Sequence, residues 1–274
     1  MLIQPPSTPP FAATDLPGSA TPRAIDVRHV SKSFHDANSV FEAVHDVNLQ
    51  VDRGRFMSVI GLSGCGKSTL LRIVGGLIEP TEGSITIDGL PPKAAQKQKS
   101  IGFVFQDAAL LPWLTVVENV EVSLQVNQRA NRPRPRGTDE LLDLVGLLRF
   151  RNAFPHQLSG GMQQRVALAR ALVHYPSILL MDEPFGALDE LTRAFMRYEL
   201  LRIATRTGKT VLLVTHSIAE AVVLSDEVVV LAGPPGHVRE VVSIDLPRPR
   251  DESIERSPEF LAYASLLRGV LKLS

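Results

Sequence analysis

Residues 56–70 read FMSVIGLSGCGKSTL. Phe56 to Ile60 is a short apolar run of the kind that forms a strand buried on both faces. Gly61-Leu62-Ser63-Gly64-Cys65-Gly66-Lys67-Ser68 then satisfies G-x-x-x-x-G-K-[ST]. From Thr69 onward, Leu70, Leu71, Ile73, Val74 and Leu77 fall at helical spacing. Strand, glycine-rich loop and helix in that order make a phosphate-binding element. The glycines let backbone N–H groups turn inward around phosphate oxygens, and the start of the helix adds the positive end of its dipole. Lys67 brings a full charge to the β- and γ-phosphates of a nucleotide, and the Ser68 hydroxyl is a ligand for Mg²⁺. A dinucleotide fingerprint would need a third glycine after Gly64 and Gly66, and a nucleophile elbow would need serine where Cys65 stands. Cys65 reads as a small loop filler. A thiol beside a lysine at a helix start is also a candidate for modification that blocks the nucleotide.

Working outward, Val47, Leu49 and Val51 alternate with polar residues, and Ile25, Val27 and Val30 begin an earlier strand-like stretch. Further strands are predicted at Ser84–Asp88, Ile101–Phe105, Ile178–Met181, Val211–Thr215 and Val228–Leu231. Helices are predicted from Asp189 to Thr207, stopped by Gly208, and from Ser217 to Leu224, opened by the box Ser217-x-x-Glu220. Strands alternating with helices imply a largely parallel sheet. The stretch 107–172 departs from this pattern and reads as all-helical. It holds the capping box Thr115-x-x-Glu118, the apolar face Leu141, Leu142, Val145, Leu148, and a helix from Ser159 through Ala171. The chain thus divides into a Pro-rich disordered tail at 1–23, a main domain at 24–245 with the helical section inserted, and an extension at 246–274. That extension looks partly helical, and its role is not legible.

Composition narrows the function. The 274 residues carry 29 Lys+Arg and 29 Asp+Glu, a zero formal charge that argues against a protein coating nucleic acid. The basic, Pro-rich Arg129–Arg136 reads as a solvated loop. No apolar run reaches the roughly 18 residues that cross a bilayer. A single cysteine excludes an internal disulfide and fits a reducing compartment. The first 23 residues have neither the early positive charge nor the unbroken apolar stretch of a secretory signal, which points to the cytoplasmic side.

Ile178-Leu179-Leu180-Met181-Asp182-Glu183 delivers two carboxylates at the C-terminal end of an apolar strand, the edge where open α/β sheets bind ligands. The plain alternative is a solvated turn, but the phosphate loop favours chemistry. Asp182 suits Mg²⁺, and Glu183 suits polarising an attacking water. Gln106 and His216 also end strands, so both are expected at that edge, with His216 reaching a γ-phosphate oxygen. The other histidines show no metal-ligand spacing, so no zinc site is expected.

Leu158-Ser159-Gly160-Gly161-Met162-Gln163-Gln164-Arg165 resembles the signature of the ATP-binding subunits of ABC transporters, with Met162 where the consensus has Gln. With the phosphate loop, Gln106, Asp182-Glu183, Gly186-Ala187-Leu188-Asp189 and His216 in family order, the resemblance covers roughly residues 24–245. It implies a P-loop NTPase fold: a RecA-like, mostly parallel sheet with helices on both faces, an N-terminal antiparallel β portion and an inserted helical subdomain. It also implies ATP and Mg²⁺ as cofactors. By the same resemblance Glu183, His216 and Gln106 are catalytic, and Ser68, Gln106 and Asp182 serve the metal. The loop Gly61–Thr69 holds the phosphates, and Phe34 stacks on adenine, with Phe41 as its rival. Asp189 joins the sites of two subunits.

The signature has its own physics. Ser159 caps a helix, and Gly160 and Gly161 expose N–H groups at its positive end, a second anion site. In the family this site faces the phosphate loop of another subunit, so two copies close head-to-tail over two ATP molecules. The stretches Gln106–Thr115 (QDAALLPWLT), Met181–Asp189 and His156–Arg165 are similar to importer subunits of the nitrate, sulfonate and taurine group. That branch implies a peripheral subunit on the cytoplasmic face of the cell membrane, beneath transmembrane permease subunits supplied by a solute-binding protein. Trp113 belongs either to packing in the helical subdomain or to a groove for the membrane partner. A soluble ABC ATPase of nucleic-acid or translation processes, a non-hydrolytic regulator and an exporter subunit are the alternatives.

Overall fold

The computed structural model describes residues 23–36, 39–133, 136–186 and 188–272. The expected tail lies outside these residues up to position 22, as does Ala187 of the Gly186–Asp189 stretch.

Two long strands, β1 (Arg23–Asp36) and β2 (Ser39–Asp52), form an antiparallel hairpin. β1 runs through His35 and Asp36, and β2 begins at Ser39. β3 (Phe56–Gly61) carries the chain into the glycine-rich loop, and α1 (Lys67–Val74) follows it. This helix is shorter than the apolar spacing predicts. Gly75 and Gly76 end it, Gly76 at φ +69°, and Leu77 is left exposed. Next come β4 (Glu82–Ile87), α2 (Pro92–Lys97), which the sequence reading did not include, and β5 (Ile101–Val104).

Among the described residues, only helical elements lie between β5 and the next strand. They are α3 (Val116–Gln125), α4 (Thr138–Leu144) and α5 (Gly160–Leu172), joined by short 3₁₀ turns. The Thr115–Glu118 box forms in both directions: the Thr115 N–H donates to Glu118 Oε2 at 2.7 Å, and the Glu118 N–H donates to Thr115 Oγ1 at 3.4 Å. The alternation then resumes with β6 (Ile178–Asp182), α6 (Glu190–Thr207), β7 (Thr210–Val214), α7 (Ile218–Leu224), β8 (Glu227–Ala232), β9 (His237–Ser243) and α8 (Pro258–Lys272).

The main sheet runs β5-β6-β7-β3-β8-β9, parallel except for the hairpin partner β9. A second sheet, β2-β1-β4, is antiparallel. Successive side chains of the central strands enter two different cores. Met57, Val59, Leu180, Leu212 and Val214 join α1 and the antiparallel sheet. Phe56, Ile60, Leu179, Met181, Val211 and Leu213 join the inserted helices together with α6, α7 and α8. Burial on both faces, at about 1.5–3 kcal/mol per large apolar side chain, holds these strands rigid beneath the site.

The final segment is a packed part of the fold. Phe260, Ala264, Leu267 and Val270 of α8 are buried in the second core. Arg250 is buried and caps the C-terminal end of α7, its Nη1 donating to the carbonyls of Val222, Val223 and Ser225 at 2.7–3.1 Å. Burial lowers its pKa to about 10.

Candidate functional site

Parallel strands in register deliver their last residues to one edge. Val104 pairs with Met181, Asp182 with Val214, and Val59 with Val214. Gly61, Gln106, Asp182 with Glu183, and His216 therefore meet at the C-terminal edge, as the sequence predicts.

The phosphate loop is wrapped by other parts of the chain. A Cβ on Gly61 would lie 2.5 Å from the Leu231 carbonyl oxygen, and one on Gly66 would lie 2.4 Å from that of Ala43. Gly64 and Gly66 both have positive φ, so here glycine is required by conformation, and at Gly66 also by space. Gly236, in the β8–β9 turn, braces the loop from behind: a Cβ there would lie 2.1 Å from the Cys65 carbonyl oxygen. Nothing in the motif itself announces Gly236 or Ala43. Cys65 is buried. Leu62, Ser63 and Gly64 face solvent, while Thr69 is half-buried. The Lys67 ammonium donates to the carbonyls of Gly61 and Leu62 at 2.8 and 2.9 Å, so its charge sits inside the ring of loop amides.

Ser68 Oγ donates to Asp182 Oδ1 at 2.8 Å, which brings two hard oxygen donors together. Asp182 is only 2% exposed. Burial pushes its carboxyl above the usual range, against the pull of the Ser68 hydroxyl and of Arg72. Glu183 turns off the strand at φ +43°, a conformation that costs a non-glycine residue about 1 kcal/mol or more. Its Oε2 lies 3.1 Å from His216 Nδ1. Gln106 is exposed just beyond β5, and the signature helix holds the backbone on either side of it. Gln164 Nε2 donates to the Phe105 carbonyl at 2.9 Å, and Arg170 Nη1 to that of Ala109 at 2.8 Å.

Phe34 and Phe41 are direct cross-strand partners in the hairpin. Paired residues share a face, so the two readings of the adenine contact are neighbours on one surface. The Lys32 ammonium sits 5.2 Å from the centre of the Phe34 ring.

The signature lies elsewhere. Ser159 caps α5 and accepts from the Met162 N–H at 3.3 Å. Ser159 and Gly160 are exposed, and a Cβ on Gly160 would meet nothing within 4 Å. Gly161 packs against Leu188 and Thr192 at the start of α6. Asp189 caps α6, and its bond from the Thr192 N–H holds its carboxyl low. Trp113 is 70% exposed, so it is not a packing residue of the inserted helices.

Residues 44–186 match the family described as ABC transporter. The chain belongs to that family. It is 46% identical to an uncharacterized ABC transporter ATP-binding protein of Methanocaldococcus jannaschii, over 90% of this chain and 91% of the relative. It is 40% identical to the aliphatic sulfonates import ATP-binding protein SsuB of Bacillus cereus, over 86% of this chain and 92% of the relative. Among solved structures it is similar to the dimeric post-hydrolysis state of the ATP-binding cassette MJ0796 bound to ADP and Pi. That match has a TM-score of 0.72 at 36% identity, covering 81% of this chain and 100% of the other. This ABC subunit therefore binds ATP with Mg²⁺ and hydrolyses it. Among the described residues, no helix is long and apolar enough to cross a membrane.

Proposed function

We propose that this chain is the motor of an importer for a small sulfonate or a related anion, working as a head-to-tail pair beneath transmembrane permease subunits. The observation that carries this reading is the likeness to the sulfonate import protein, which extends over 86% of the chain rather than over the shared motifs alone. In this reading residues 24–245 are the ATPase domain, with the subdomain at about 107–172 and the extension at 246–274. The subunit sits peripherally on the cytoplasmic face of the membrane.

The geometry supports the roles that the family resemblance implies. The amides of Gly61–Thr69 and the Lys67 ammonium bind the β- and γ-phosphates. Ser68 and Asp182, already 2.8 Å apart, hold Mg²⁺ with help from Gln106. The ion supplies charge neutralisation on the phosphates. Glu183 accepts a proton from the attacking water, and His216, bonded to Glu183, holds that water in line with the γ-phosphate. Phe34 takes the adenine. Ser159, Gly160, Gly161 and Asp189 of the other copy close over the same nucleotide. Gln106 reports the state of the site to α5 through its bonded neighbours Phe105 and Ala109. A hollow of 520 Å³ lies between the end of α1 and α3, bordered by the exposed Leu77 and Val126.

The test is reconstitution with the permease in lipid vesicles. Aliphatic sulfonate, delivered by its binding protein, should stimulate ATP turnover and enter the vesicle. Turnover that responds instead to nucleic acid, or transport in the outward direction, would overturn the reading.

A further inference from the structure

Behind His216 lies a carboxylate that the roles above do not use. Glu220 stands on α7 and is 3% exposed. The sequence predicts a reciprocal box from Ser217-x-x-Glu220, but only half of it forms. The Glu220 N–H donates to Ser217 Oγ at 3.3 Å, while the Glu220 side chain turns away and accepts from the Thr215 hydroxyl. Thr215 Oγ1 in turn accepts from the Ser217 N–H at 3.0 Å. These bonds tie residues 215, 217 and 220 into one closed unit. The backbone N–H of Thr215 is anchored to the Val59 carbonyl of β3. His216, the residue between the tied positions, points its ring outward to Glu183.

Capping a seven-residue helix does not require a buried charge, since the Ser217 hydroxyl already does it. A buried carboxylate is costly unless it is bonded and compensated. Burial pushes the Glu220 carboxyl up, opposed by the Thr215 hydroxyl and by the charges of Arg197, Arg193 and His216. Arg197, itself buried on α6, donates to Glu255 of the extension at 2.7 Å. The bond from the Thr215 hydroxyl offsets part of the cost of burying this carboxyl group.

We infer that Thr215 and Glu220 are positioning residues for His216: their hydrogen bond fixes the turn at 215–217, so that the imidazole is held against Glu183. The inference rests on the reading that His216 acts in hydrolysis. Both side chains are buried, Thr215 at 2% and Glu220 at 3% exposure.

The test is steady-state ATP turnover by the full chain. Thr215→Val removes the hydroxyl at nearly equal volume, and kcat should fall about tenfold to a hundredfold, as for a misplaced catalytic group. KM for ATP should stay within about twofold, because ground-state binding is untouched. Thr215→Ser should recover most of the turnover. Glu220→Met removes the acceptor and also relieves a buried charge. It must show the same split between kcat and KM, and it carries the test if Thr215→Val fails to fold. In a His216→Ala background, neither change should cost anything more. Wild-type turnover in Glu220→Met, or an equal further loss in the His216→Ala background, overturns the positioning role alone. Undiminished turnover in His216→Ala itself overturns the reading of His216, and this inference with it.

Discussion

Two glycine-rich helix starts in this chain do opposite things. At α1 the loop is closed in by Ala43, Leu231 and Gly236, and its lysine is buried among its own carbonyls. At α5 the capping Ser159 and the first helical residue Gly160 lie open, with empty space beside Gly160, while Gly161 sits against Leu188 and Thr192. Both ends can hold an anion by the same amide and dipole physics. One is finished within the chain, and the other presents its donors outward. In the proposed head-to-tail pair, the open site of one copy would complete the grip of the other copy's phosphate loop on the same nucleotide.

The contrast can be broken by substitution. Lys67→Ala removes the only full positive charge inside the phosphate loop, and turnover should fall about a thousandfold, the scale of a lost electrostatic contact to the transition state; phosphate release by the purified variant measures it. Gly66→Ala should cost about 2–4 kcal/mol of stability, since it combines a collision with the Ala43 carbonyl and a left-handed backbone. Gly160→Ala meets neither obstacle, so denaturant melts should match wild type within about 0.5 kcal/mol. Its turnover should nonetheless fall at least tenfold, because the added methyl group occupies the space a phosphate would enter. A Gly160→Ala protein with full activity would remove the second anion site from the account. A smaller effect separates the paired rings: Phe34→Ala should weaken ATP binding about tenfold, the scale of one stacked base, and Phe41→Ala less, by calorimetric titration. The reverse order would move adenine to Phe41.

Smallest of all is a stability effect at the metal donors. Burial raises the Asp182 carboxyl, so its ionised form is a cost to the fold that disappears as pH falls through the raised value. In metal-free buffer at neutral pH, Asp182→Asn should therefore melt higher, by about 1 kcal/mol of stability. With Mg²⁺ and ATP it should turn over poorly.

Much of this site was legible because its parts are local. The phosphate loop, the strand-end acids and the cap at Ser159 each state their physics within a few residues. The contacts that finish the site are not local. Gly236 braces Cys65 from the far side of the chain, and nothing in the sequence places it there. The sequence reads Ser217-x-x-Glu220 as a box, and the Glu220 carboxylate instead accepts from Thr215, which β3 anchors through the Val59 carbonyl. Phe34 and Phe41 read as alternatives because residue spacing alone does not show that they pair across the hairpin. The extension after residue 245 was unreadable because its anchors, Arg250 on α7 carbonyls and Glu255 on Arg197, are made by side chains distant in sequence.

The central claim is that ATP itself joins two copies, gripped by the loop of one and the signature of the other. Glu183→Gln keeps the binding groups and removes the base that ends the bridge. Its mass in solution by light scattering should double in saturating ATP and Mg²⁺ and return to that of one chain in ADP. A variant that binds ATP with wild-type affinity yet keeps the mass of a single chain at every protein concentration would contradict the account.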